Sequence, residues 1–384
     1  MAQLNRTLEL LDRLVAFPTV SRDSNLELIN WVEELLQGAK FDVTRIWSPD
    51  RKKAGLFARI GPGTSGGTLL SAHTDVVPVE GQNWTRPPFQ LTRDSDRVYG
   101  RGTSDMKGFL ASALSMAERA GASDLSEPLS LSISYDEEVG CVGIRQMMPT
   151  LAPLIGKPRV VIVGEPTLMQ VATGHKGKSA LKVTCHGQAG HSAMAPNFVN
   201  AIYVAAAFSA EMQSLQDKLA QGPVDEAYSI PYSTVHIGRI EGGRALNIVP
   251  DTVQIDMEFR YLSSCPAAHI RQKIDNAAKR VSAAFGPSAT IVVNEVTAYP
   301  GLETPADDPI LAFGCSLTNR AKTTKVDFGT EAGFFAERGI PTLVIGPGNM
   351  ATDGHKPDEG LALSELSACD VMMDRILNQA RRGM

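Results

Sequence analysis

The spacing of apolar residues changes twice along the chain. Short apolar runs first alternate with stretches of helical periodicity, which is the pattern of an α/β sheet domain. After Gly174 the runs become longer and alternate between apolar and polar residues, which is typical of antiparallel strands with one buried face. The first pattern then returns toward the C-terminus. The sequence therefore predicts an α/β domain interrupted by a smaller α+β insert.

The same pattern predicts the domain boundaries and the helices and strands of each domain. The first domain is predicted at residues 1–175 and 288–384, and the insert at 176–287. Predicted helices of the first domain are 8–17, 26–36 and 109–120, with Ser21, Asp23 and Ser24 available as caps of the second. Its predicted strands are 41–46, 56–60, 69–77, 129–135 and 160–164, and its C-terminal part holds apolar segments at 291–296, 308–318, 325–328 and 342–345. The insert is predicted to hold strands 179–186, 233–240 and 252–260 and helices 199–215 and 267–285.

Length and composition agree with two domains and narrow the class of partners. A chain of 384 residues exceeds what one hydrophobic core usually supports. The formal net charge is -5 and no basic run is present to hold a phosphate backbone, so nucleic acid binding is not expected. The 5 cysteines lack any Cys-x-x-Cys spacing and are expected to be reduced. Because the N-terminal residues lack secretion-signal features and no apolar stretch reaches roughly 18 residues, we expect a cytoplasmic protein that does not enter membranes.

The first candidate for chemistry lies at the end of an apolar run, where His73 and Asp75 follow Leu69-Leu70-Ser71-Ala72. Residues i and i+2 of an extended strand point the same way. The Asp75 carboxylate is therefore expected to accept one ring N–H of His73 and to orient the other nitrogen toward a metal. A buried histidine bonded to an aspartate is also a common polar contact without any metal, so the pair alone leaves both interpretations open.

Further acidic and imidazole residues occupy comparable positions, each after an apolar run or in a glycine-rich turn. They are Asp105, Glu137, Glu138, Glu165 and His355. In open α/β sheets, ligands gather beyond the carboxyl ends of strands, where these residues are predicted to lie. This convergence favours a catalytic metal site.

The residue types indicate which metals would suit that site. Two imidazoles and three carboxylates fit a pair of Zn²⁺ ions, or Co²⁺ or Mn²⁺, better than a thiolate site would. Asp105 is the natural bridging ligand, and five protein ligands shared by two ions leave room for a water between them. Glu137 adjoins a ligand without needing to be one, which makes it the candidate general base.

Five segments resemble a family of co-catalytic zinc amidohydrolases that includes aminoacylase, carboxypeptidase G, succinyl-diaminopimelate desuccinylase and acetylornithine deacetylase. They are residues 71–78 (SAHTDVVP), 102–108 (GTSDMKG), 136–140 (DEEVG), 164–167 (GEPT) and 187–192 (GQAGHS). The resemblance covers nearly the whole chain. It implies a mixed-sheet, zinc-peptidase-like catalytic domain with an inserted lid and dimerisation domain, two Zn²⁺ ions per subunit with Co²⁺ as a substitute, and a homodimer.

The resemblance also implies how the ligands divide between the two ions. Asp105 would bridge them, His73 and Glu165 would complete one site, and Glu138 and His355 would complete the other.

Catalytic roles follow from the same resemblance. Glu137 would be the general base, Asp75 would orient His73, and the peptide bond between Asp105 and Met106 would be cis. The implied reaction is hydrolysis of an amide bond by a metal-activated water, with Glu137 taking the proton and returning it to the leaving amine.

Three further segments favour the acetylornithine deacetylase branch of the family, which serves arginine biosynthesis. They are residues 174–177 (GHKG), 298–302 (AYPGL) and 329–332 (GTEA). Glu331 is a candidate partner for the side-chain ammonium of N-acetylornithine, and Lys176 or Arg260 would hold the substrate carboxylate. A first-turn helix carboxylate stabilised by the helix dipole is the alternative for Glu331.

Three residues of the insert are candidates for contact with the substrate or intermediate. By resemblance, His191 would reach the active site of a partner subunit and stabilise the oxyanion, while Asn247 and Arg260 would contact substrate. A turn histidine after Gly190 and locally hydrogen-bonded Asn247 and Arg260 side chains are the alternatives.

Among other function classes, the filled site disfavours a non-catalytic protein, whereas other hydrolases stay open. A non-catalytic binding or scaffold protein is expected to have lost a ligand or the base, and here all five ligand positions and the base are filled. A deacylase of another N-acyl amino acid, a succinyl-diaminopimelate desuccinylase, and a metallo-carboxypeptidase or dipeptidase would all use the same metal centre.

Overall fold

The computed structural model describes residues 2–383. The helices are α1 (Ala2–Val15), α2 (Leu26–Gly38), α3 (Gly108–Ala120), α4 (Val142–Ile155), α5 (Ala201–Ala220), α6 (Ala267–Phe285), α7 (Ile310–Thr318), α8 (Ala332–Ala336) and α9 (Leu363–Arg382). The strands are β1 (Asp42–Trp47), β2 (Ala54–Ile60), β3 (Thr68–His73), β4 (Thr92–Asp94), β5 (Arg97–Tyr99), β6 (Leu129–Ser134), β7 (Val160–Val163), β8 (Val171–His175), β9 (Gly177–His186), β10 (Gly190–His191), β11 (Thr234–Gly242), β12 (Ile248–Val249), β13 (Thr252–Tyr261), β14 (Thr290–Tyr299), β15 (Leu302–Glu303), β16 (Thr323–Val326), β17 (Thr342–Val344) and β18 (Gly360–Ala362).

The chain divides into two compact units. Unit 1 comprises the residues up to Gly174, Leu302–Val326 and the residues from Thr330 onward, whereas unit 2 comprises His175–Gly301 and Asp327–Gly329. No helix within residues 2–383 is both long and apolar enough to cross a membrane. All five cysteines are free thiols.

Unit 1 is built on a mixed sheet with the strand order β1-β2-β6-β3-β7-β17-β8-β15, with β16 beside β8. The central strands β6, β3, β7 and β17 run parallel to one another. Every residue of these four strands is buried, as expected for parallel strands in the middle of an α/β sheet.

The two faces of the central strands differ in chemistry. Leu70 and Ala72 of β3 belong to the hydrophobic core, which also contains residues of α1, α3 and α9. Because side chains alternate along a strand, Ser71 and His73 point to the opposite face. His73 is paired in register with Ser134 of β6. Toward the carboxyl ends of β3 and β6, small polar residues and one imidazole therefore lie on the face away from this core.

Unit 2 is an α+β unit. Its main sheet is antiparallel with the order β11-β13-β9-β14. Alternate residues of β9, namely Leu181, Val183 and Cys185, are buried in a core with residues of α5 and α6. The long alternating runs predicted after Gly174 thus form a sheet with two helices packed on one face.

The second boundary of the insert differs from the predicted one. Segment 291–296 was expected to resume the first domain, but it lies in β14, which pairs with β9 from Thr290↔His186 to Tyr299↔Lys178. Unit 2 therefore extends to Gly301 rather than to residue 287, and it starts at His175 rather than at Lys176. The apolar run 291–293 is compatible with a strand of either sheet. Only its pairing with a distant strand decides which of the two sheets it joins.

Candidate metal centre

The five candidate ligands converge at one edge of the unit 1 sheet. His73 ends β3, Glu138 follows β6, Glu165 follows β7, and His355 lies in the loop after β17. These are the four neighbouring parallel strands, so their carboxyl ends meet at the same edge. Asp105 comes from the irregular turn Thr103–Lys107 that precedes α3.

Asp105 lies between the two imidazoles. Its Oδ1 atom is 3.1 Å from Nε2 of His73, and its Oδ2 atom is 3.2 Å from Nε2 of His355. The Nε2 atom of His73 is also 3.6 Å from Oε1 of Glu165, and that of His355 is 2.9 Å from Oε2 of Glu138. Each oxygen of Asp105 thus faces one histidine, and each histidine also faces a further carboxylate, which is the arrangement expected around a bridging ligand. The peptide bond between Asp105 and Met106 is cis, as the family resemblance implies.

Burial and charge shift the acid–base properties of these groups. Burial raises the pKa of Glu138 to about 7 and raises that of Glu165 well above its usual range. Hydrogen bonds with Asp105 and Glu138 raise the pKa of His355 to about 10. Burial lowers the pKa of His73, but hydrogen bonding with Asp105 and the nearby carboxylates outweighs it and leaves that pKa raised. The cluster therefore holds an excess of carboxylates that a cation would neutralise.

The donor set fits divalent cations. Ligand atoms of His73, Asp105 and Glu138 lie within 4.8 Å of one another, and so do those of His73, Glu137 and Glu165. Among the described residues, Oε1 of Glu138 and Oε1 of Glu165 are buried without a hydrogen-bond donor. Buried polar atoms are nearly always partnered, so these two oxygens are suited to metal coordination.

Asp75 contacts His73 most closely through its backbone carbonyl oxygen, and its carboxylate makes a longer contact with the same ring nitrogen. Nδ1 of His73 lies 2.9 Å from the carbonyl oxygen of Asp75, whereas Oδ1 is 3.5 Å away. The carboxylate also accepts hydrogen bonds from the Ser21 hydroxyl at 2.7 Å and from the N–H groups of Glu137 and Glu138 at 3.0 and 3.2 Å. The Asp75 carbonyl thus orients His73, and the Asp75 carboxylate holds the backbone of the loop that carries Glu137.

Glu137 lies beside the ligand cluster and is almost fully buried. Its Oε1 atom accepts a hydrogen bond from the Cys141 thiol at 3.2 Å. Burial raises the pKa of Glu137 well above its usual range, which is the direction that suits a group exchanging protons near neutral pH.

Glu331 is not on an open surface in this structure. It is 1% exposed, and its carboxylate accepts hydrogen bonds from the Ser134 hydroxyl and, at 3.2 Å, from the Ser71 hydroxyl. Burial raises its pKa to about 7. Direct contact with a substrate ammonium would require the carboxylate to leave both serines, so this conformation does not support the expected contact. Glu331 immediately precedes α8, as in the alternative interpretation.

The two basic candidates of unit 2 are already occupied. The Lys176 ammonium donates to the carbonyl oxygens of Ile230 and Tyr232, both at 2.6 Å. Arg260 donates to Glu258 at 3.0 Å. Both cations are thus held by acceptors within unit 2, and these contacts use only part of their N–H donors.

His191 and Asn247 are exposed neighbours in unit 2. His191 pairs with Ile248 in the β10–β12 ladder, and the N–H of Ser192 donates to the carbonyl oxygen of Asn247 at 3.0 Å. Nδ1 of His191 accepts a hydrogen bond from the N–H of Ala193 at 3.1 Å, so Nε2 is the ring nitrogen that this local contact does not use.

Several residues near the site were not predicted to belong to it. Ser21, expected to cap α2, donates to Asp75 instead, while the Ser24 hydroxyl accepts from the N–H of Leu26 at 3.3 Å. Cys141 gave no recognisable motif. Arg101 and Glu359 form a buried ion pair next to Asp105; a charged pair separated by more than 250 residues carries no local sequence signal.

Comparison with protein-family models matches residues 69–379 to Peptidase family M20/M25/M40. The chain belongs to this family. The family resemblance seen in the motifs is thereby confirmed, and the chain is a metal-dependent amidohydrolase.

Individual M20 relatives agree with this assignment. The chain is 34% identical over 361 residues to the acetylornithine deacetylase of Shigella sonnei (strain Ss046), a match that covers 92% of each chain. A tripeptidase from Staphylococcus aureus has a similar fold, with a TM-score of 0.78, 19% identity and 99% of both chains covered. A dinuclear metal-binding M20 peptidase from Bacillus subtilis gives a TM-score of 0.71 at 15% identity, with 99% of both chains covered. The α/β fold with a smaller second unit is therefore that of M20 peptidases.

Proposed function

We propose that the protein hydrolyses the amide bond of N2-acetyl-L-ornithine to acetate and L-ornithine. The observation that carries this proposal is the paired site in which each Asp105 oxygen faces one imidazole, with Glu137 buried alongside. The substrate is inferred from the acetylornithine deacetylase that is 34% identical over 92% of the chain.

We assign two Zn²⁺ ions to the site, with Co²⁺ as a functional substitute. His73 and Glu165 would hold one ion, Glu138 and His355 would hold the other, and Asp105 would be shared by both. Two imidazoles and three carboxylates support this choice. When bound, such a pair would lower the pKa of a water between the ions and polarise the amide carbonyl.

The residues of the chain then move the proton. Glu137 accepts it as the water attacks and returns it to the leaving amine, so that the amine departs in neutral form. The thiol of Cys141 and the fixed backbone of residue 137 hold the carboxylate in place. Asp75 keeps His73 in the tautomer whose Nε2 faces the cluster, because its carbonyl accepts from Nδ1.

The test is the rate of acetate release from N-acetylornithine by protein reloaded with Zn²⁺ or Co²⁺. N-acetylmethionine, succinyl-diaminopimelate and a dipeptide serve as comparison substrates. Preference for N-acetylornithine that is lost with a chelator is the expected result. A preference for any other substrate would keep the metal centre and overturn the substrate.

A second candidate is peptide hydrolysis on the same centre. It is favoured by the tripeptidase whose fold matches over 99% of the chain at a TM-score of 0.78. Turnover of di- and tripeptides with no release of acetate from N-acetyl amino acids would favour this candidate.

We also propose that the protein is a homodimer formed through unit 2. Several large apolar residues of this unit are exposed, including Tyr203 at 65%, Ile240 at 53% and Leu246 at 99%. Exposed apolar groups of this kind are typical of surfaces that bind another protein.

A further inference from the structure

A buried ion pair outside the ligand set joins the two loops that carry ligands of one ion. Arg101 and Glu359 are each 1% exposed, and Nη1 of Arg101 lies 2.8 Å from Oε2 of Glu359. Two ions of opposite charge are costly to remove from water, so a pair this deeply buried needs further hydrogen bonds to persist.

Glu359 receives those bonds from the turn that carries the bridging ligand. Its Oε2 accepts from the N–H of Gly102 at 2.9 Å, and its Oε1 accepts from the N–H groups of Ser104 and Asp105 at 2.8 and 3.0 Å. Three backbone donors and one guanidinium thus converge on one carboxylate. The backbone position of Asp105 is thereby set by a residue four positions after His355.

Arg101 continues the connection to the His355 loop. Its Nη1 donates to the carbonyl oxygen of Lys356 at 3.3 Å, and its Nη2 donates to Oε1 of Gln82 at 2.5 Å. The amide of Gln82 in turn donates to the carbonyl oxygen of His355 at 2.8 Å. The pair therefore ties the backbones of Asp105 and His355 to each other.

We infer that Arg101 and Glu359 are positioning residues for the ion assigned to Asp105, Glu138 and His355. The inference rests on the ligand set of the proposed function. The other ion has His73 and Glu165, which lie at the ends of β3 and β7 and are positioned by the sheet register. Loss of the pair is therefore expected to weaken one ion site much more than the other, because only one site depends on two irregular loops.

The test is Co²⁺ binding to chelator-treated protein, followed by calorimetry and by the visible absorption of bound Co²⁺. Wild type is expected to bind two ions. Glu359→Gln keeps the size of the side chain but turns an NH₂ group toward backbone N–H donors. We expect this variant to bind the ion of Glu138 and His355 about 10- to 100-fold more weakly, with a clearly smaller loss at the other ion, which shares only Asp105 with the disturbed loops.

A milder variant and a matched control separate positioning from general stability. Gln82→Ala removes the link from Arg101 to His355 and a hydrogen bond from the Trp84 indole. It leaves the buried pair intact and is expected to give a smaller loss at the same ion. Glu33→Gln removes a carboxylate of comparable chemistry, paired with Arg45 between α2 and the edge strand β1, and is expected to bind both ions as wild type does.

Three results would overturn the inference. In the first, Glu359→Gln and Gln82→Ala both bind the two ions as tightly as wild type does. In the second, both ions are weakened equally and the metal-free variants melt at a lower temperature. In the third, wild type takes up a single ion. No substrate enters this measurement, so a wrong substrate assignment leaves it unaffected. Conversely, if the inference fails, the acetate-release assay still tests the proposed substrate independently.

Discussion

At the residue scale, the centre is defined by acids that are buried before any cation binds. Burial raises the pKa of Glu138 to about 7 and raises that of Glu165 well above its usual range, while the two imidazoles lower the pKa of Asp105. Metal uptake must therefore release protons from the glutamates and from the histidines. Metal affinity is expected to rise with pH through the neutral range for this reason.

Replacing Glu137 by Gln separates proton transfer from metal binding. We expect kcat to fall by about 10²- to 10⁴-fold because the amide cannot take up the proton, while both ions remain bound. Acetate release measures turnover, and metal analysis of the same preparation measures the number of bound ions. Glu138→Gln is the contrasting variant and is expected to lose an ion.

Two outcomes would contradict the assignment of Glu137 as base. Near-normal turnover of Glu137→Gln would exclude it from proton transfer. Loss of one ion would make it a ligand instead, an alternative allowed by the closeness of its carboxylate to His73 and Glu165.

Glu331 gives a pH-dependent prediction for the metal-free protein. Its pKa is raised from 4.5 to about 7 in the folded state. Between these values the unfolded chain has lost the proton that the folded chain retains, so folding is progressively disfavoured as pH rises, with no further change above pH 7. Glu331→Gln removes this effect, and its stability relative to wild type should increase by on the order of 3 kcal/mol from pH 4 to pH 8.

Urea unfolding of chelator-treated protein across that pH range checks the prediction for Glu331. A stability difference between wild type and Glu331→Gln that stays constant with pH would show that the carboxyl group titrates normally.

The meeting of the candidate ligands at one sheet edge was predictable from sequence, whereas several of their contacts were not. His73, Asp105 and Glu165 follow apolar runs or glycine-rich turns, which gives a local signal. The partners of the Asp75 carboxylate, the burial of Glu331 by Ser71 and Ser134, and the contacts of Lys176 depend on residues distant in sequence. No local pattern encodes such partners.

At the element scale, the position of the ligands depends on how closely strands approach helices. Gly164 separates β7 from Glu165, and a Cβ atom at this position would lie 2.0 Å from the Phe109 ring of α3. Glycine is needed here for space, and it lets the end of β7 pack directly against the helix that follows the Asp105 turn.

Gly164→Ala is expected to destabilise the protein by about 1–3 kcal/mol, because the added methyl group must displace Phe109 or β7. It should also weaken Co²⁺ binding, since Glu165 would move with the strand. Gly38→Ala at the end of α2 is the control: nothing lies within 4 Å of its added Cβ, so no loss is expected, and alanine is favoured in a helix. Urea unfolding of both variants measures the difference, and equal stabilities would exclude the proposed close approach.

Elements were predictable where periodicity was local. Helix α6 spans Ala267–Phe285 as predicted, and β13 and β9 lie within one or two residues of their predicted ranges. No prediction was made for α9, although Leu366, Cys369, Met373 and Ile376 recur at helical spacing. Segment 291–296 was assigned to the wrong domain for a different reason. The sheet that a strand joins is set by pairing with distant strands, which local periodicity does not encode.

At the scale of the whole molecule, the proposed dimer makes a direct prediction. Wild type should have twice the mass of one chain by light scattering, and the double variant Tyr203→Asp/Leu246→Asp should shift toward the single-chain mass. Charges placed on an apolar interface lose solvation without gaining partners. Val371→Asp, at an exposed position of α9 in unit 1, is the control and should remain dimeric. A single-chain mass for wild type would exclude the dimer.

The strand order of the unit 1 sheet has a consequence for how the protein is made. β17 lies between β7 and β8 in the sheet, yet it follows them in the chain by more than 160 residues. A nascent chain that has emerged only as far as unit 2 carries four of the five ligands, but it has a gap in its central sheet and two unpaired strand edges. Such edges invite pairing with other chains. Polypeptides that terminate before residue 342 should therefore aggregate or be degraded, and the complete metal centre is available only after the last sheet strand and His355 have left the ribosome.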